Sequence, residues 1–303
     1  MFLADFIVIA ILAGLLFSVS NFLDKAILED FITSPIAVTF FTSLFGTIFA
    51  LALPFFGIIE IPSMFVLVFA IFLGIVYIAP LYMYMASLKM EEVSRAVPIF
   101  SLTPIFVVVL GTVFLNEVFT IETYLGIFLA ISGSVLVSSK KLGKEFFHLK
   151  ANKAFWMILT STVLFAVYAV LTRWILQFSD FWNIFFWSRL GTIIPILFFL
   201  LHSGTREEIF SIASALRDYK MEFVAVSELF NNLAVFAQTV ALSLGPAALV
   251  ETATSVQSLF ILLMVVVARR VWKTDLGDDL SREAILVKVI ASVMIIIGIY
   301  LIG

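Results

Sequence analysis

LLFSVSNFLDKAIL, residues 15–28, can be laid over VLFAVYAVLTRWIL, residues 163–176, with the same residue at six of fourteen positions and Lys25 over Arg173. The two stretches occupy matching places in the two halves of a 303-residue chain. Later segments stay in step: Gly46-Thr47-Ile48 lies over Gly191-Thr192-Ile193, and Gly126 and Gly133 lie over Ala291 and Gly298. Self-similarity at this period means one structural unit used twice.

The unit is a membrane one. Hydrophobic residues make up 63% of the chain and charged residues 13%, more apolar surface than a single soluble core can bury. Nucleic acid is thereby excluded as a partner, and the absence of cysteine rules out disulfides, thiolate metal sites and cysteine nucleophiles. A helix needs about 20 apolar residues to cross the hydrocarbon core, where only helices or closed barrels satisfy the backbone. Continuous apolar runs predict helices at 6–23, 34–56, 63–86, 93–115, 119–138, 154–177, 181–202, 221–243, 247–268 and 284–302. Ser34-Pro35, Pro62 and Gly245-Pro246 mark starts, since proline suits the first helical turn. The first run has neither a basic leader nor a small-residue cleavage site and reads as a retained span. Each half holds five spans, an odd number, so the second copy must run through the membrane in the opposite sense. The expected fold is all-α and integral to the membrane: ten transmembrane helices as two inverted-topology five-helix repeats, residues 1–138 and 154–303, joined by a basic linker, 139–153.

Charge sets the expected orientation. Fourteen of the 18 Lys+Arg fall in the odd-numbered connections, and none falls in the even-numbered connections or the termini. The positive-inside rule places the odd connections in the cytoplasm of a cell-membrane protein and both termini outside. Ile209, Ile212, Ala213 and Leu216, between basic residues, predict a helix lying on the inner leaflet.

Residues 86–137 carry Ala86, Pro104, Leu115-Asn116-Glu117, Gly126 and Gly133. In this order they resemble the EamA branch of the drug/metabolite transporter superfamily, with its proline-bearing fourth helix, Leu-x-Glu ending and glycine-spaced fifth helix. Ser20-Asn21-Phe22 with Lys25 resembles the end of the family's first helix, and Ala241-Leu242, Pro246-Ala247, Val256-Gln257 and Gly298-Ile299-Tyr300 extend the resemblance through the second half. Ser258 stands where the second repeat would often have proline, and the helix-ending glutamate of that repeat is displaced into the acidic loop Asp275–Asp279. The resemblance implies cytoplasmic termini for many relatives, against the charge count.

Polar residues inside the spans are the candidate site, because a charge at the bilayer centre costs about 2.5–3.5 kcal/mol on insertion scales. Arg189 in span seven and Glu228 in span eight fall about 8 Å apart in depth at the rise of an α-helix. They read as a structural ion pair, or as a pair in which substrate or a proton competes for one partner. Glu228, Asn231, Asn232, Gln238 and Thr239 recur on one helical face. Five polar groups exceed the needs of one packed seam and favour a wet cavity. Tyr77 and Tyr84 share a face of span three with Ser87. With Pro104 over Ser258, Ser101 lies over Ser255 and Val97 over Glu251. Pro98 and Pro104 are candidate hinges, and Glu251 and Gln257 candidate pathway residues. The expected cavity lies between spans three, four, eight and nine, a choice of neighbours that the resemblance implies, with Asn231, Asn232 and Gln238 facing Tyr84 and Ser101. Such a wall suits a neutral or zwitterionic solute, since amides both donate and accept.

The glycine faces of spans five and ten, Gly126-Ala130-Ser134 and Ala291 with Gly298, predict close packing, within the scaffold or in a homodimer through those spans. The expected function is secondary active transport, as an exporter of a small polar or amphipathic metabolite by alternating access, driven by a proton or other ion gradient or by exchange. No P-loop motif is present to power it. A lipid-carrier flippase, or its subunit, is the alternative on the same fold. An enzyme is not expected, since the two histidines, His148 and His202, lie in a loop and at a helix end; neither cofactor nor metal is expected.

Overall fold

The computed structural model describes residues 2–30, 34–56, 59–90, 99–138, 152–215, 219–272 and 282–303. Within them the chain is helical, without strands: α1 (Phe2–Asp30), α2 (Pro35–Leu51), α3 (Met64–Met90), α4 (Thr103–Leu115), α5 (Ile121–Ser138), α6 (Lys153–Ile175), α7 (Phe181–Gly191), α8 (Ile193–Leu201), α9 (Ser203–Ala215), α10 (Tyr219–Leu244), α11 (Ala247–Thr254), α12 (Gln257–Trp272) and α13 (Arg282–Ile302). Taking α7 with α8 and α11 with α12, nine helical stretches among the described residues are long and apolar enough to cross a membrane. The span expected at 93–115 is represented by α4 alone; hinge candidate Pro98 lies outside the described residues.

Local chemistry sets the ends. Ser34, Asn152 and Asp180 cap α2, α6 and α7, their side-chain oxygens accepting the N–H of Ala37, Phe155 and Asn183. Asn116 closes α4 in the left-handed region at φ 55°, which asparagine tolerates better than most residues. Glu117 is thereby folded back, its N–H 3.1 Å from the Gly111 carbonyl.

Three spans are interrupted. α7 gives way to α8 at Thr192, just before Pro195, which has no N–H to offer the carbonyl four residues back. At this break the Arg189 carbonyl accepts the N–H and hydroxyl of Thr192 and the hydroxyl of Thr47. Span nine breaks at Ser255-Val256 without any proline, and hydroxyls again take over. Ser258 and Ser134 donate to the Ser255 carbonyl at 3.0 and 3.1 Å, and Ser255 donates to Thr252 O. Span four turns at Ser101-Leu102, the positions that the repeat aligns with Ser255-Val256.

Helices pair across the halves: α1 packs on α10, α6 on α3, α4 on α11, and α5 on α13. At the crossing of α3 with α7, a side chain on Gly74 would strike the Ser188 carbonyl, and one on Gly191 would strike the backbone of Ile71. Only glycine permits that approach. On the outside, Phe114, Phe128, Leu286, Ile296 and Tyr300 stand exposed, as on a surface solvated by lipid.

Of the two packings expected for the glycine ridges the structure shows the scaffold one, and the expectation for α9 is corrected. The glycine ridges of spans five and ten are used within the chain: Gly126 lies against Gly298, and Gly133 against Ala291. A dimer through those helices would need their other faces. The apolar stripe of α9 packs inward, with Ile209 buried and Ile212 and Ala213 joining a cluster around Val38 and Phe41. It therefore covers the protein core rather than a headgroup layer; Leu216 lies outside the described residues.

Candidate functional site

A cavity of about 150 Å³ lies between the halves, at the breaks of spans four and nine. From the first half, Asn21 and Asp24 of α1, Tyr77 and Tyr84 of α3, Ser101 and Pro104 reach it. From the second come Tyr168 of α6, Asn231 and Gln238 of α10, and Glu251 and Gln257 of span nine. Seven of the ten pathway residues expected from sequence thus line one space: Tyr77, Tyr84, Ser101, Asn231, Gln238, Glu251 and Gln257.

The lining is fixed by hydrogen bonds that cross elements. Gln238 Nε2 donates to Glu251 Oε1 at 2.7 Å, tying α10 to α11. Asn21 Nδ2 donates to Gln257 Oε1 at 3.3 Å, tying α1 to α12. Ser227 Oγ donates to Asp24 Oδ1 at 2.6 Å, tying α10 to α1. Ser101 Oγ lies 3.5 Å from Ser138 Oγ. The remaining wall is a run of rings: Tyr84 on Phe100 at 4.9 Å between centroids, Phe100 on Phe165 at 5.5 Å, Phe165 on Tyr77 at 6.0 Å, and Tyr77 on Tyr168 at 5.3 Å. Such edge-on and tilted pairs hold one another rigid.

The other three expected residues sit behind the wall. Successive helical residues point about 100° apart, so with Asn231 in the cavity, Asn232 turns toward α2. There its Nδ2 donates to the Glu228 carbonyl at 2.7 Å, its Oδ1 has no hydrogen-bond partner among the described residues, and Gly46 leaves it room. Glu228 accepts from Thr42 Oγ1 and from Asn231 Nδ2, two residues that do face the cavity. Arg189 is buried against two rings, its Cζ 5.0 Å from the Tyr77 centroid and 5.4 Å from that of Phe185. Its Nη2 finds no hydrogen-bond partner among the described residues. The Arg189–Glu228 ion pair that depth alone suggested is therefore not formed among the described residues. The helices place the two at similar depth but aim the guanidinium at aromatic faces and the carboxylate at neutral donors.

Sequence reasoning missed Asp24 and the contribution of α6. The apolar run ends at residue 23, which sets Asp24 just beyond the expected first span; α1 instead continues to Asp30, which puts the carboxylate inside a helix and against the cavity. Its alignment with Thr172, a polar residue in the corresponding span, was the available signal.

Elsewhere, charged side chains hold the facing ends of α11 and α10. Glu117 Oε1 and Oε2 accept the N–H groups of Ala247 and Ala248 at 2.8 and 3.2 Å, at the positive end of α11. Arg173 Nη1 donates to the carbonyls of Leu242 and Ser243 at 2.6 and 3.1 Å, at the negative end of α10. Both helix ends are satisfied by charged groups from other elements. No group of three or more His, Asp or Glu suited to a metal is found among the described residues.

The model of the EamA-like transporter family matches residues 6–139. No curated protein matches the sequence. One crystal structure, described only as that of a protein, superposes with a TM-score of 0.72 at 16% identity, covering 99% of this chain and 97% of the other.

Proposed function

Because the model of the EamA-like transporter family matches residues 6–139, we propose that this multi-pass membrane protein is a secondary active transporter of that kind rather than a catalyst. It exports a small polar or amphipathic metabolite by alternating access, driven by an ion gradient or by exchange. The observation that carries this reading is the cavity between the halves, built where two spans are broken. Broken helices beside a central cavity are how transporters present backbone and side-chain polar groups to a solute. Tyr77, Tyr84, Ser101, Asn231, Gln238, Glu251 and Gln257 form the substrate pathway, with Glu228, Asn232 and Arg189 supporting it and Pro104 at the hinge of span four.

The moving parts are two inverted five-helix repeats, 1–138 and 154–303, linked through 139–153, ten membrane helices in all. Contacts that exchange under a two-fold operation support this. Gly126 aligns with Ala291 and Gly133 with Gly298, while Gly126 touches Gly298 and Gly133 touches Ala291, the reciprocal pattern of an isologous interface. Thr47 and Thr192, aligned with each other, meet at 3.4 Å between hydroxyls, as residues on the axis should. The odd-numbered connections face the cytoplasm, on the charge count.

Counterflow in proteoliposomes tests the function. Vesicles loaded with unlabelled amino acids, nucleobases, sugars or amines should accumulate trace label of at least one of them, and dissipating pH and ion gradients then identifies the coupling. Absence of counterflow for every class, with protein shown to be reconstituted, would rule the transporter reading out.

A further inference from the structure

Resting on the transporter reading, we propose that the cavity selects organic cations, amines with an aromatic or alkyl body, over neutral or anionic solutes. The amides that dominated the sequence pattern suit a neutral guest, but the tertiary structure changes the inventory. Among the described residues the cavity wall carries two carboxylates, Asp24 and Glu251, and no Lys, Arg or His. Each is held in place by neutral donors only, Ser227 and Ser20 for Asp24, and Gln238 for Glu251. Glu251 is 9% exposed, and a single hydrogen bond leaves one carboxylate oxygen to the cavity it lines.

A buried carboxyl with no cationic partner must either take up a proton or have its charge met by dipoles alone. A bound ammonium group supplies the missing partner. Nearby, Glu228 stands one hydrogen bond behind the wall, at Asn231 and Thr42. Arg189 does not line the cavity; its guanidinium lies over the Tyr77 ring.

The second observation is independent of charge. The ring series Tyr84, Phe100, Phe165, Tyr77 and Tyr168 forms one wall of the same space. Aromatic faces attract cations and pack aromatic or alkyl bodies, and they offer an anion nothing. Carboxylates and rings on one small cavity thus specify both ends of the guest: a protonated nitrogen toward Asp24 or Glu251, and an apolar body along the rings. An anionic solute would meet two like charges without compensation, which an anion-selective site would avoid.

The test uses a charge series on one body. Phenethylamine (a cation at pH 7), 2-phenylethanol, phenylacetate and phenylalanine are titrated calorimetrically into the purified full-length chain in detergent. Saturable binding of phenethylammonium is expected, with the alcohol, carboxylate and zwitterion each weaker. Glu251→Gln and Asp24→Asn, checked for folding by monodisperse elution, should each weaken it about tenfold, an ordinary loss for one charge-assisted contact. Equal binding of the alcohol, tighter binding of phenylacetate or phenylalanine, no phenethylammonium binding, or two folded variants that bind like the parent would each overturn the proposal. Should either variant fail to fold, the series on the parent protein decides alone. Counterflow of another solute without amine binding refutes the cation site and leaves the transporter; amine binding without counterflow of any solute does the reverse.

Discussion

Glu117 acts at a distance from its own helix. Folded back by left-handed Asn116, it holds two N–H groups at the start of α11, as a capping side chain does from within its own chain segment. Glu117→Ala should therefore lower stability by about 1–2 kcal/mol, the upper range for a lost cap, read as a lower thermal midpoint in detergent; an unchanged midpoint would show that water serves those amides equally well. Behind the cavity, Thr42→Val removes one of the two hydrogen bonds that the Glu228 carboxylate accepts. A cost of about 1–3 kcal/mol is expected for a buried acceptor losing its partner, and Thr42→Ser should restore it. If valine and serine behave alike, the hydroxyl is not what positions Glu228.

At the scale of the element, the broken spans show how a membrane helix can stop without exposing its backbone to lipid. In span nine the work of a proline is done by hydroxyls, with Ser134 reaching across from α5 to the Ser255 carbonyl and hydroxyl. Ser134→Ala should destabilise the chain by about 1 kcal/mol and, because the break lines the cavity, should alter apparent substrate affinity in counterflow as well as the thermal midpoint. A change in neither would make that contact incidental. The seam between α5 and α13 is stricter. A side chain at Gly298 would meet Ala130 and the Gly126 carbonyl, so Gly298→Leu should cost at least the 1–3 kcal/mol typical of overpacking and reduce the yield of monodisperse protein. Ile296→Leu, on the exposed face two residues away, should leave the yield unchanged.

For the whole molecule, the pseudo-two-fold axis and the orientation are separate matters with separate checks. In this cysteine-free chain, Thr47→Cys with Thr192→Cys should cross-link under mild oxidation, since the native hydroxyls lie 3.4 Å apart; failure to cross-link in a folded double variant would move the axis elsewhere. Glu60 and Glu207 are both exposed, in an even and an odd connection respectively. A cysteine at Glu60 should react with impermeant reagent on intact cells, and one at Glu207 only after permeabilisation. The reverse pattern would invert the orientation and favour the cytoplasmic termini that the family resemblance implied.

The sequence by itself determined that this chain is a multi-pass membrane protein and where most of its helices run, and it supplied the two-repeat plan proposed above. These follow from apolar run length and residue order, which act along the chain and need no partner. Seven residues of the cavity wall were also legible, because a polar side chain inside an apolar span has few reasons to be there. What only the tertiary structure decided is which of those polar groups see the same space. Asn231 and Asn232 differ by one residue and point to the cavity and to α2; Asp24 entered the site because α1 runs longer than its apolar stretch; and Arg189 was turned from Glu228 to the rings of Tyr77 and Phe185. Depth can be counted along a sequence, but facing depends on helix rotation and on the neighbour packed against it, and those are fixed only when all the helices are in place.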